Sequence, residues 1–106
     1  MRKILIILLF LFSLSLFAQH NISLLAKLPY AYTLSNVWGY TDETNVEYAL
    51  VGAEDGLSVV SLANPSNPVE IAKIPGKRNI WREIKTLGDY AYVSSESGDG
   101  LLIVDL

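Results

Sequence analysis

The chain has 106 residues, no cysteine and a formal net charge of −3. Lack of cysteine excludes a disulfide framework, and lack of a Lys/Arg cluster argues against nucleic-acid binding, which depends on cations neutralising phosphates. The apolar content of 51% overstates the core available for folding, because a disproportionate share of it lies in the first eighteen residues.

Those residues read as a secretory signal peptide. Arg2 and Lys3 supply a basic start, Ile4 to Phe17 is apolar apart from Ser13 and Ser15, and Ala18 offers a small residue for cleavage. The apolar run of fourteen residues falls short of the roughly twenty that span a bilayer as a helix, so no transmembrane span is expected. Leader removal takes Arg2 and Lys3 and leaves six basic residues against eleven acidic ones, a net charge of −5. The expected localisation is therefore secreted or cell-surface. Residues 19–35 form a lead-in, in which Leu24, Leu25 and Leu28 could build a strand that completes a neighbouring blade or caps the first one. Asn21-Ile22-Ser23 fits an N-glycosylation acceptor, relevant only in a eukaryotic secretory path.

Beyond the lead-in the chain repeats itself. Asn36-Val37-Trp38 returns as Asn79-Ile80-Trp81, Tyr48-Ala49-Leu50-Val51 returns as Tyr90-Ala91-Tyr92-Val93, and Leu57 to Leu62 returns as Leu101 to Leu106, at intervals of 42 to 44 residues. A strand-patterned repeat near that period indicates a β-propeller blade. Tyr48 to Ala53 reads as one strand, Glu54-Asp55-Gly56 as a hairpin turn and Leu57 to Leu62 as the return strand. Asn64-Pro65-Ser66-Asn67-Pro68 interrupts the sheet, since proline donates no ladder hydrogen bond. Val69 to Ile74 is a third strand and Ile80 to Leu87 a fourth; Gly88-Asp89 then turns the chain into the next copy. The expected fold is all-β and propeller-type, with about two four-stranded antiparallel blades over residues 36–106.

Several of these segments resemble a known family. Trp38-Gly39-Tyr40, Glu47 to Gly52, Asn64 to Val69, Trp81 to Lys85, Tyr90 to Val93 and Gly100 to Leu106 are similar to the choice-of-anchor B family, and the last segment resembles the LVIVD repeat of bacterial surface β-propellers. The likeness covers about two thirds of the chain. It implies an exported or cell-surface propeller, attached through a C-terminal device, with no catalytic role to carry over. Two blades cannot close a ring, so the chain reads as the N-terminal portion of a longer protein. Alone, its open faces and edges are expected to drive self-association.

Candidate chemistry is sparse. His20 is the sole histidine, which disfavours a Ser-His-Asp triad or a histidine metal cluster. Asp55, Glu96 and Asp99 are carboxylates that could be offered to Ca2+, but turn chemistry already explains them and their spacing is not that of a calcium loop. No cofactor is implied. Trp38 and Trp81 could be ligand platforms; their recurrence favours packing between blades, where truncating a buried tryptophan would cost about 3–5 kcal/mol. Arg82 follows Trp81 where Gly39 follows Trp38, so the repeat does not demand it, which makes it the better ligand-binding candidate. Lys77, Arg78, Arg82 and Lys85 otherwise read as a solvated strand end. The favoured function is noncatalytic binding of protein or glycan through blade loops. An enzyme with active residues in further blades, and a structural stalk, are the alternatives.

Overall fold

The computed structural model describes residues 22–106. The expected leader over residues 1–18, and His20 and Asn21, lie outside them. All regular structure in the described residues is β, and no helix among them is long and apolar enough to cross a membrane.

Seven strands form two antiparallel sheets. The first contains β1 (Leu34–Thr41), β2 (Glu47–Ala53), β3 (Gly56–Ser61) and β4 (Val69–Pro75) in sequential order; the second contains β5 (Arg82–Leu87), β6 (Tyr90–Ser95) and β7 (Leu101–Asp105). Sequential meanders follow from short connections, each too brief for anything but an antiparallel return. The blade boundary differs from the sequence reading. Residues 82–87 open the second sheet rather than closing the first, and the fourth strand of the first sheet is supplied from its N-terminal side by β1. Gly88, at φ 56°, makes the β5–β6 link a tight hairpin, so β5 pairs locally with β6 while Pro75-Gly76 ends β4 and releases the chain.

Turn chemistry is confined to the residues that need it. Gly56 has φ 148°, and a Cβ there would lie 2.0 Å from the Ile74 carbonyl oxygen, so no side chain fits. The hairpin turn expected at Glu54-Asp55-Gly56 forms with positive φ at Gly56 and not at Asp55. In the β1–β2 loop Asn45 takes positive φ, at 65°; asparagine tolerates that region better than most side chains.

The β2–β3 and β6–β7 ladders coincide pair for pair. Leu50↔Val59 corresponds to Tyr92↔Ile103, Gly52↔Leu57 to Ser94↔Leu101, and Val51↔Ser58 to Val93↔Leu102. Each sheet thus has a front and a back face set by strand alternation. Leu50, Leu57 and Val59 on the front of the first sheet meet Ile84, Ala91 and Val93 on the back of the second, with Trp38, Tyr40, Tyr48, Leu102 and Val104 packed around them. This joint is the core.

Candidate functional site

Arg82, the first residue of β5, is buried to 6% exposure against the first sheet. Its Nε donates to the Ala53 carbonyl oxygen at 2.8 Å, and Nη2 donates to the Lys77 carbonyl oxygen. The planar fork suits two divergent acceptors at once. Glycine makes room for it: a Cβ at Gly76 would sit 3.2 Å from both terminal guanidinium nitrogens, and one at Gly52 would sit 3.3 Å from the Arg82 Cβ and 2.9 Å from Ser35 Oγ. Arg82 therefore clamps one sheet to the next, and its guanidinium is spent on backbone carbonyls rather than held open for a ligand. Sequence reasoning singled out the residue because the repeat did not require it; the joint between sheets does.

The two tryptophans do not occupy equivalent places. Trp38 pairs with Leu50, and in the second sheet the strand neighbour of the matching Tyr92 is Lys85, not Trp81. Trp38 is half-buried in the joint, where its indole N–H donates to Thr86 Oγ1 at 2.9 Å and Lys85 Nζ lies 4.0 Å from its ring centroid. The packing expectation fits Trp38. Trp81 stands just ahead of β5, 63% exposed, so the burial assumed in the 3–5 kcal/mol expectation is absent here. The repeat alignment shifted because β1–β2 is joined by a five-residue loop and β5–β6 by two residues, which moves every β5 position relative to β1.

Trp81 lines an open cleft of about 380 Å³ together with Arg82, Glu83, Ser94, Ser95 and Glu96. Its backbone N–H is held by Asn79 Oδ1 at 2.6 Å, fixing the turn that presents the indole. Glu83 accepts from Lys85 Nζ at 2.6 Å and from Asn36 Nδ2 at 2.9 Å. An exposed indole flanked by carboxylates and hydroxyls offers an apolar plane with hydrogen-bonding groups at its rim, a combination suited to amphipathic ligands.

The carboxylates proposed for Ca2+ sit at the same end of the sheets, and two of them, Asp55 and Asp99, are engaged with a cation or turn groups. Asp55 Oδ1 accepts from Lys73 Nζ at 2.6 Å, and that hydrogen bond holds its carboxyl below the usual range. Asp99 accepts from the Ser97 hydroxyl, which likewise lowers it, and from the Lys77 backbone N–H at 3.3 Å. Glu96 borders the Trp81 cleft. Among the described residues no three His, Asp or Glu side chains gather in a metal-binding arrangement.

Two polar clusters escaped the sequence reading. At the opposite end, Asp42 Oδ1 accepts from the Thr44 hydroxyl, the Thr44 N–H and the Val46 N–H, and Oδ2 accepts from the Tyr48 hydroxyl at 3.0 Å. On the back of the first sheet, fully buried Ser58 donates to Glu70 Oε2 at 2.5 Å. Asp42 followed by Thr44 and Asn45 is a recognisable turn signal; nothing local announces the second cluster, whose partners lie twelve or more residues apart.

Compared with known proteins, the chain matches the family model described as the LVIVD repeat twice, over residues 45–74 and 81–106, together more than half its length. No curated protein and no solved structure matches it.

Proposed function

The chain belongs to the LVIVD repeat family, and from that premise we propose that it is an exported or cell-surface, noncatalytic β-propeller repeat protein that binds a protein or glycan ligand at the loop end carrying Trp81. The β-propeller character rests on the family and on the two antiparallel sheets. Export is supported by the basic, apolar and small-residue order of residues 1–18, and surface attachment through a C-terminal region by the resemblance to the choice-of-anchor B family. Blade loops are where propeller scaffolds of fixed architecture acquire different ligands.

The observation that carries the binding reading is Trp81, 63% exposed beside its cleft. A large aromatic is usually well buried, and this one is held outward by the Asn79 turn. Trp81→Ala should abolish binding on an array of neutral and acidic oligosaccharides, or to a panel of extracellular-matrix proteins, with a melting temperature within about 2 °C of wild type. Equal loss of stability in Trp81→Ala and Trp38→Ala would refute a ligand role for Trp81. Export is tested separately by the mass of the secreted product, expected to begin at Gln19; a product retaining Met1 would identify an anchor.

A further inference from the structure

The lead-in lies on the back of the first sheet without joining it. Residues 22–33 form no strand, yet Ala26, Leu28, Tyr30 and Tyr32 are half-buried while the residues between them are exposed, the alternation of an extended segment laid on a surface. Val51 and Val60 on that face are buried, whereas Val37, opposite Val51, is 64% exposed. The contacts that hold the segment are made by side chains. The single Ser58 hydroxyl hydrogen goes to Glu70, so the Tyr30 hydroxyl, 3.0 Å from Ser58 Oγ, is the donor of that contact. Tyr32 donates to the same Glu70 carboxylate at 3.2 Å, and Lys73 Nζ lies 3.8 Å from the Tyr32 ring centroid.

These contacts can be released without orphaning a buried group. With the segment lifted, Ser58 still donates to Glu70 and Lys73 still pairs with Asp55 at 2.6 Å, while the two phenols pass to water. No ladder hydrogen bond has to break, and the opposing cost is the apolar cover lost from the back of the sheet. A segment held this way opens at a lower free energy than the sheet beneath it.

Its far end is fixed to the turn that also fixes the candidate site. Glu54 N–H donates to the Thr33 carbonyl oxygen at 3.0 Å, and the Glu54 carbonyl oxygen accepts from Asn79 N–H at 2.7 Å. Asn79 Oδ1 in turn holds the Trp81 N–H. A second route runs beside the first: Lys73, against the Tyr32 ring, pairs with Asp55, whose carbonyl oxygen accepts from Gly76 N–H at 2.8 Å. The Glu54-Asp55 turn thus has the lead-in on one side and the segment leading to Trp81 on the other. We propose that residues 26–33 are a strap that closes and opens on the first sheet, and that its closure steadies, through Glu54 and Asp55, the turn presenting Trp81, so that the strap regulates ligand binding there. The regulatory role rests on Trp81 as a binding residue. Coupling of this kind is reciprocal: a ligand that requires the ordered Trp81 turn favours the closed strap. Its warrant is a two-state element in contact with the site, rather than distance along a path.

The test needs no ligand. Amide hydrogen exchange of the whole chain, followed by NMR, is set beside limited tryptic cleavage after Lys27, which lies exposed within the strap. Tyr30→Phe/Tyr32→Phe removes two hydroxyl contacts while keeping both rings. It should speed cleavage after Lys27, and exchange at the Glu54, Asn79 and Trp81 N–H groups, by roughly tenfold, with exchange in the β2–β3 ladder unchanged. Ser58→Ala, which takes away only the acceptor of Tyr30, should act in the same direction by a smaller factor. Unchanged cleavage in both variants would overturn the strap. Faster cleavage with Asn79 and Trp81 exchange unchanged would overturn the coupling, and an equal rise throughout the β2–β3 ladder would mean that the whole sheet loosens and no separable strap exists. Ligand binding retained in Trp81→Ala would refute the site and with it the regulatory role, while leaving the exchange results as they stand, so the two failures are told apart.

Discussion

Leu57 and Leu101 hold the same rung of their ladders, opposite Gly52 and Ser94, yet Leu57 is sealed from solvent and Leu101 is 55% exposed. The same holds for Val59 at 8% and Ile103 at 55%. The repeat sets which face a residue occupies; what packs on that face sets what the residue is worth. In the first sheet the front face is covered by the second sheet, and in the second it is open. Identical ladder positions therefore carry different energies, because burial contributes in proportion to apolar area removed from water.

The sharpest way to break this comparison is to truncate the matched leucines. Leu57→Ala should cost about 2–5 kcal/mol, the transfer term plus a cavity in the joint, whereas Leu101→Ala should stay within about 0.5 kcal/mol; denaturant melts of the two variants measure both. Comparable losses would show that the second front face is covered in solution. Next in size is the clamp, which only one sheet possesses: Ser35 lies next to the bulged start of β1, where the second sheet begins with Arg82. Arg82→Ala should destabilise by about 2–3 kcal/mol, because it leaves the Ala53 and Lys77 carbonyls without a charged donor. Arg82→Lys should recover only part of that, having no fork to span both acceptors.

The smallest effect separates the two connections at the other end. The first sheet's five-residue loop is organised by Asp42, whose carboxyl is held below its ordinary 3.8 by the Thr44 hydroxyl, the Val46 N–H and the Tyr48 hydroxyl; the second sheet turns in two residues. A carboxyl lowered on folding stabilises the protein above its unfolded value and ceases to do so as the pH falls toward the folded one. Stability should thus decline as the pH drops below about 4, and Asp42→Asn should flatten that decline. NMR titration should place the Asp42 midpoint below 3.8, with Tyr48→Phe moving it upward; a midpoint at or above the ordinary value would remove Asp42 as an organiser of the loop.

Much of the fold was legible in the residues. Strand runs, the Asn-Pro break and the repeated Tyr-Ala block located six of the seven strands, because alternation and turn residues are local properties. Where one blade ends was not legible: residues 80–87 carry strand patterning that suits either neighbour, and only pairing with β6 assigns them. For the candidate site, Trp38 and Trp81 looked equivalent because the motif match ignored the unequal hairpin loops that displace them in register. Arg82 stood out because the repeat does not demand it, but its structural role was not legible, since its acceptor on Ala53 lies 29 residues away. Ser58 and Glu70 gave no sign at all, a serine in an apolar strand being ordinary until Tyr30 is folded over it.

By itself, then, the sequence determined an all-β repeat chain, most of its strands and the turns that divide them, because these depend on side-chain alternation, backbone freedom at glycine and the missing N–H of proline. Only the tertiary structure decided which sheet a strand joins, which of two matched faces is buried, which tryptophan packs and which stands free, and what covers the back of the first sheet. Those outcomes depend on surfaces brought together from distant parts of the chain, whose energies arise from contacts that no local pattern contains.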